Sequence, residues 1–151
     1  MPETPKGVLT KKIMKSENKI LIGGRALIAL GSSRNTLDTD YLVNVPGEGA
    51  FIHDKENNVD YCNAAGLKFF AEIWKQEEGR EIASPAGLLE LKAFSFVQHC
   101  LNGNWQKADD AEYDIKFLVR KFSLAAPKIV KKYVGAGEYA EILNVVNSTK
   151  K

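Results

Sequence analysis

The chain has 151 residues, of which 44% are hydrophobic and 26% are charged, and its formal net charge is +2. This length fits one domain with a substantial core, and the composition is ordinary for a soluble globular protein. The net charge is too small to argue by itself for binding to nucleic acid or to an anionic membrane.

The first half of the chain predicts short strands and a helix. Apolar residues at a spacing of four indicate a helix over 7–16. The apolar run at 19–23 predicts a buried strand that ends in a double glycine, and the Ala/Leu-rich segment 24–31 predicts a helix. Residues 38–45 predict a second strand, which a Pro-Gly pair ends, and 50–62 predict a hairpin with a polar turn.

The second half predicts helices. An apolar stripe of Leu67, Phe70 and Trp74 indicates a helix over 64–75. Ser84 followed by Pro85 is a strong start signal for a helix that runs to about residue 101. Further helical segments are predicted at 108–122, 127–133 and 139–146. We therefore expect one domain over 1–151 of the α/β (α+β) class, with a sheet region at about 19–62 and a helical region at about 64–147.

Cysteine use and hydropathy bear on location. Cys62 and Cys100 are far apart in sequence and lie in no zinc-like cluster, which favours reduced, small core residues over a disulfide. No apolar run approaches the roughly 18 residues of a transmembrane helix, and the N-terminus lacks a signal-peptide core. We expect a cytoplasmic protein with no membrane partner.

Two aspartates one residue apart, Asp38 and Asp40, open the second predicted strand. Because strand side chains alternate, both carboxylates point to one face, roughly 6–7 Å apart at the backbone. Such a pair suits a magnesium ion, which prefers oxygen ligands and leaves room for phosphate. The Gly23-Gly24 pair, which lets a backbone approach a ligand closely, completes a predicted nucleotide site. The alternative is a tight strand-helix turn whose aspartates only cap a loop.

The order Gly23-Gly24, Arg34, Thr36, Asp38 and Asp40 resembles the core motif of the nucleotidyltransferase superfamily, in particular its minimal and abortive-infection (AbiE-type, toxin-like) bacterial branches. The resemblance extends to the second half of the chain, and it covers about residues 19–122. The segment from Ser84-Pro85 to Lys92 and the acidic helix carrying Lys107, Asp109, Asp110 and Asp114 resemble those that follow the catalytic sheet in this family. Asp110 and Asp114 are four residues apart, whereas the family spacing is three.

The resemblance implies a fold and an activity. The fold would be a small mixed sheet flanked by helices and followed by a mainly helical half. The chain would move a nucleoside monophosphate from an NTP such as ATP to an acceptor hydroxyl, with release of pyrophosphate and with Mg²⁺ or Mn²⁺ as cofactor. The acceptor would be an RNA end, a protein hydroxyl or a small molecule. A toxin-antitoxin or phage-defence setting with an antitoxin-like partner is part of the same expectation.

The resemblance also implies site residues. The catalytic and metal-binding residues would be Asp38, Asp40 and a third strand acid, Asp60. The nucleotide-binding residues would be Gly23, Gly24, Arg34 and Lys92.

Several alternatives stay open on the sequence alone. Asp60 is equally well explained as an exposed strand acid, and Asp54 is a poorer third acid because it begins a polar turn. Lys92 has a simpler explanation as a solvent-exposed lysine. At the level of the whole chain, the alternatives are a catalytically degenerate nucleotidyltransferase fold that binds a nucleotide or a partner, and a nonenzymatic α/β domain.

Overall fold

The computed structural model describes residues 19–36 and 38–149. The helix expected over 7–16 lies outside these residues. By its backbone contacts the chain divides into two compact units, the first ending at Ala83 and the second beginning at Ser84. The expectation of a single domain stays a prediction.

A sheet of four strands forms the centre of the first unit. The strands are β1 (Lys19–Ile22), β2 (Thr39–Val43), β3 (Phe51–Asp54) and β4 (Val59–Asn63). Their order is β1-β2-β4-β3, in which β2 and β4 are parallel and the other two pairs are antiparallel. Helix α1 (Gly23–Ala29) connects β1 to β2, and α2 (Lys68–Glu77) follows β4. The predicted small mixed sheet flanked by helices is confirmed.

The two faces of this sheet differ because strand side chains alternate. On the face that carries Phe51, the ring of this residue packs edge-on against Phe70 of α2, with 5.5 Å between the ring centroids. On the other face, Tyr41 and Tyr61 stack at 6.1 Å, and the Lys19 Nζ lies 4.5 Å from the Tyr41 ring centroid. Helix α2 therefore covers the face opposite the two tyrosines.

Helix α2 starts later than the helix expected over 64–75. Leu67 is an extended residue before the helix. The reason is the turn that precedes the helix: the Asn63 side chain accepts a hydrogen bond from the Ala65 N–H and holds 64–66 as a 3₁₀ turn.

The predicted apolar stripe is confirmed only at Phe70, which is buried. Trp74 is half-buried. Phe69 and Ile73, which the prediction did not include, are fully buried and form most of the buried face of α2.

The second unit is helical, as predicted. Its helices are α3 (Pro85–Leu101), α4 (Trp105–Phe122) and α5 (Ala136–Asn147). The predicted start of α3 is confirmed, since the Ser84 Oγ accepts a hydrogen bond from the Gly87 N–H at 3.1 Å. A 3₁₀ turn, Val130–Tyr133, precedes α5 and is tied to α3 by the buried Glu90. The Glu90 carboxylate accepts hydrogen bonds of 2.9 Å from the N–H groups of Ile129 and Val130.

Two further expectations can be compared with the structure. Cys62 and Cys100 are both free thiols, but both are only half-buried, so the prediction that they are core residues was wrong. Within 19–36 and 38–149, no helix combines the length and the apolar character needed to cross a membrane.

Candidate functional site

Three polar side chains form a row across neighbouring strands of the sheet. Asp40 of β2 pairs in register with Asp60 of β4, and Asp60 pairs with His53 of β3. Residues paired in register point to the same face, so the three side chains lie next to one another. We call Asp40, Asp60 and His53 the acidic row. The strand order brings the three residues together, although two loops and strand β3 lie between Asp40 and Asp60 in sequence.

Both glycines of the double-glycine turn are required by close approaches inside the unit. Gly23 has a φ of +70°, and a Cβ at this position would overlap the carboxylate of Asp40. A Cβ at Gly24 would lie 2.9 Å from Cγ2 of Thr36. The missing side chains therefore allow the acid of β2 and the loop before it to lie directly against the start of α1.

Asp38 lies just before β2 and is exposed. Its backbone carbonyl accepts a hydrogen bond of 3.2 Å from the Arg25 Nε, and its Oδ1 accepts one of 3.1 Å from the Asn58 Nδ2. Its own N–H donates to the Thr36 Oγ1 at 3.3 Å. The first acid of the pair is thus anchored from α1, from the preceding loop and from the β3-β4 turn.

Asp60 is in contact with its neighbour in the row. The Asp60 Oδ1 lies 2.6 Å from the His53 Nδ1, and about half of each side chain is exposed. Asp54 lies on the opposite face, because it pairs with Val59 rather than with a member of the row. Hydrogen bonds from the Asn57 side chain and backbone lower the pKa of Asp54. Asp54 is therefore the last residue of β3, bonded to the following turn, and it lies on the other face of the sheet from the acidic row.

The donor set can be compared with what a divalent cation requires. Asp38, Asp40 and Asp60 offer carboxylate oxygens, which are the ligands that Mg²⁺ and Mn²⁺ prefer. In the part of the chain that the structure describes, no three His, Cys, Asp or Glu side chains are gathered to hold a metal ion. The carboxylate oxygens suit the cation chemically. Because the three acids are not gathered around one point, joint coordination of one ion by all three would require their side chains to move.

The two positively charged side chains predicted to contact phosphate, those of Arg34 and Lys92, differ in their surroundings. Arg34 lies in the loop before β2, and its Nε atom is buried. Lys92 belongs to the helical unit, where its Nζ lies 3.0 Å from Oδ2 of the fully buried Asp114. The Lys92 side chain is only 15% exposed, so the alternative of a solvent-exposed lysine was wrong. The phosphate roles of both residues stay predictions.

Three residues near the acids were missed in the sequence. Arg25 directly follows the double glycine, and this position should have made it a candidate partner of the acid pair. His53 could have been found by counting back through the predicted hairpin, because antiparallel pairing places it opposite Asp60. Asn58 ends the polar turn, where asparagine often adopts a left-handed conformation, but the sequence gives no sign of its bond to Asp38.

Comparison of the chain with known protein families, with curated proteins and with solved structures finds no match. The resemblance to nucleotidyltransferases rests on the motif residues and on their order. What the fold adds is their arrangement: Asp40 and Asp60 adjacent on parallel strands, with the double glycine beside Asp40.

Proposed function

We propose that this chain is a metal-dependent nucleotidyltransferase that moves a nucleoside monophosphate from an NTP to an acceptor hydroxyl and releases pyrophosphate. The observation that carries the proposal is the pairing of Asp40 with Asp60 on adjacent parallel strands beside Gly23. Two acids on one face next to a glycine turn are a suitable arrangement for a triphosphate with its cation. The motif order from Gly23 to Asp40 supports the same assignment.

Each residue has a task under this proposal. Asp38 and Asp40 would hold Mg²⁺ or Mn²⁺, with Asp60 as a third ligand. When bound, the cation supplies charge stabilisation on the triphosphate and on the departing pyrophosphate. The backbone at Gly23-Gly24 would donate hydrogen bonds to phosphate oxygens. Arg25, held at the carbonyl of Asp38, would add positive charge near the transferred phosphate.

The acceptor and the biological setting follow from the resemblance alone. An RNA end, a protein hydroxyl or a small molecule would receive the nucleotide, and an antitoxin-like protein would regulate the activity. A cytoplasmic location, where NTPs are available, belongs to the same proposal.

A second candidate is a catalytically degenerate fold that binds a nucleotide or a partner without turnover. The contact of Asp60 with His53 favours it, because the proposed third metal ligand is already engaged by a side chain of the same unit. Turnover is the property that distinguishes the two candidates.

The test combines binding and turnover with two matched variants. The wild-type protein is incubated with each α-labelled NTP, with Mg²⁺ or Mn²⁺ and with RNA or protein acceptors, and melting temperature and pyrophosphate release are followed. Asp40→Asn should abolish release, whereas Asp54→Asn, on the opposite face, should retain it. Stabilisation by a nucleotide without release supports the degenerate binder. The proposed nucleotide site is contradicted if no nucleotide stabilises the protein and no pyrophosphate is released. It is also contradicted if Asp40→Asn keeps full activity.

A further inference from the structure

Asn58 combines an unusual backbone with a contact to the acid pair. It is the last residue of the turn between β3 and β4, and its φ is +53°. Its Nδ2 donates a hydrogen bond of 3.1 Å to the Asp38 Oδ1, across 20 positions of sequence. Few side chains tolerate this left-handed region, and asparagine is among those that do. The turn therefore holds a side-chain amide against the first acid of the pair.

We infer that Asn58 is a positioning residue for Asp38, which orients this carboxylate toward the divalent cation of the site. The inference rests on the proposed function, because it assumes that the acid pair holds a cation. Two requirements meet at this position: a residue that accepts the left-handed backbone and a donor that reaches Asp38. Glycine would satisfy only the first requirement, and aspartate would place a second negative charge beside the first.

The surroundings of Asp38 explain why its orientation needs a partner. Asp38 precedes β2, so no strand pairing fixes it, and its side chain is exposed. Arg25 contacts the backbone carbonyl of Asp38. A neutral amide restrains the carboxylate and leaves its negative charge available to a cation. Hydrogen-bond partners of metal ligands commonly have this role, and their loss typically lowers metal affinity about 10–100-fold.

The same contact contributes little to stability, which separates positioning from a structural role. Asn58 and Asp38 are both exposed, and the net contribution of one such hydrogen bond to the free energy of unfolding is small. For a chain of this size, its loss should lower the melting temperature by only about 2–4 °C. A much larger change in cation affinity is a result that a structural role does not produce.

The experiment measures Mn²⁺ affinity by titration calorimetry, with Mn²⁺ alone and with a nonhydrolysable ATP analogue. Asn58→Gly keeps the left-handed backbone and removes the amide, and it should weaken Mn²⁺ binding about 10–100-fold. Asn57→Ala is the matched control, because Asn57 lies in the same turn and bonds to Asp54 instead. This control should bind Mn²⁺ like the wild type. In an Asp38→Asn background, Asn58→Gly should have no further effect.

The outcomes separate this inference from the proposed function. Wild-type Mn²⁺ affinity in Asn58→Gly overturns the positioning role, and the proposed function then stands if Asp40→Asn loses binding. An equal further loss in the Asp38→Asn background also overturns it, because Asn58 would then act on something other than Asp38. A fall in melting temperature much beyond that of Asn57→Ala would show a structural role instead. Absence of Mn²⁺ binding to the wild type, with and without the analogue, contradicts the proposed function itself and this inference with it.

Discussion

Replacement of Lys92 by methionine removes one charge from the helical unit and keeps the side chain at a similar length. The Lys92 Nζ lies 3.0 Å from the Asp114 Oδ2; Asp114 is fully buried, and the lysine side chain is 15% exposed. Methionine cannot balance the carboxylate, which would stay in a poorly solvated position between α3 and α4. We therefore expect a large loss in the free energy of unfolding.

The magnitude follows from the distance and the burial. At 3.0 Å the Coulomb attraction is about 5–6 kcal/mol for an effective dielectric constant of about 20. Desolvation of both groups offsets part of this attraction in the intact pair, and removal of one partner from a buried pair typically costs about 3–5 kcal/mol. The double variant Lys92→Met/Asp114→Leu should lose less than Lys92→Met, because the buried carboxylate is removed together with the ammonium group that balances it.

Urea unfolding followed by circular dichroism measures these losses. The matched control is Lys116→Met in α4, where the Lys116 Nζ lies 3.5 Å from the Glu112 Oε1 at the surface. That half-exposed pair, one helical turn apart, should contribute less than about 0.5 kcal/mol. If Lys92→Met cost no more than Lys116→Met, the pair of Lys92 and Asp114 would not stabilise the helical unit.

Three further predictions concern packing, a hydrogen-bond network and pH. Gly24→Ala should destabilise the sheet unit by about 1–3 kcal/mol, because Cγ2 of Thr36 occupies the space where the new Cβ would lie. Adding Thr36→Ser should recover part of this loss in a thermal melt, and no recovery would contradict this cause. Asn63→Ala should cost about 2–3 kcal/mol in urea unfolding, because it removes two buried hydrogen bonds to the backbone of Val45 and two partly buried ones to the carbonyls of Glu48 and Gly49. A cost below about 1 kcal/mol would contradict the importance of this network. Burial lowers the pKa of His99 in the folded chain below its usual value of 6.5. As the pH falls, the His99 side chain is therefore protonated in the unfolded chain before it is protonated in the folded chain. The free energy of unfolding should decline in that pH range. His99→Gln should flatten that decline between about pH 7.5 and about pH 5.5, and an unchanged slope would exclude His99 as its source.

Local signals in the sequence were sufficient for most of the elements. The double glycine at 23–24, the Ser84-Pro85 pair and the polar turn of the hairpin each depend on a few neighbouring residues, and each marks an element boundary near its observed place. The position of the hairpin beside β2 is different. Nothing local decides whether β3 or β4 lies next to β2, and this choice places Asp60 beside Asp40.

The sequence does contain a sign that Lys92 is buried rather than exposed to solvent. Helix α3 is apolar around most of its circumference, and a helix of that kind is buried on several sides. Its few charged residues, Glu90 and Lys92, therefore needed partners inside the unit, which are the N–H groups of 129 and 130 for one and Asp114 for the other. Which partner each charge takes depends on the packing of α3 against α4, and a periodic pattern does not contain that information.

A crystal structure with Mn²⁺ and a nonhydrolysable NTP analogue tests the central claim most directly, because the anomalous signal of Mn²⁺ locates the cation. We expect the ion to be coordinated by carboxylate oxygens of Asp38 and Asp40, with the triphosphate against Gly23-Gly24. The position of Asp60, on the ion or still on His53, would show whether it is the third ligand. An ion bound elsewhere, or a nucleotide that contacts neither the glycines nor the acids, would show that these residues do not form the nucleotide site.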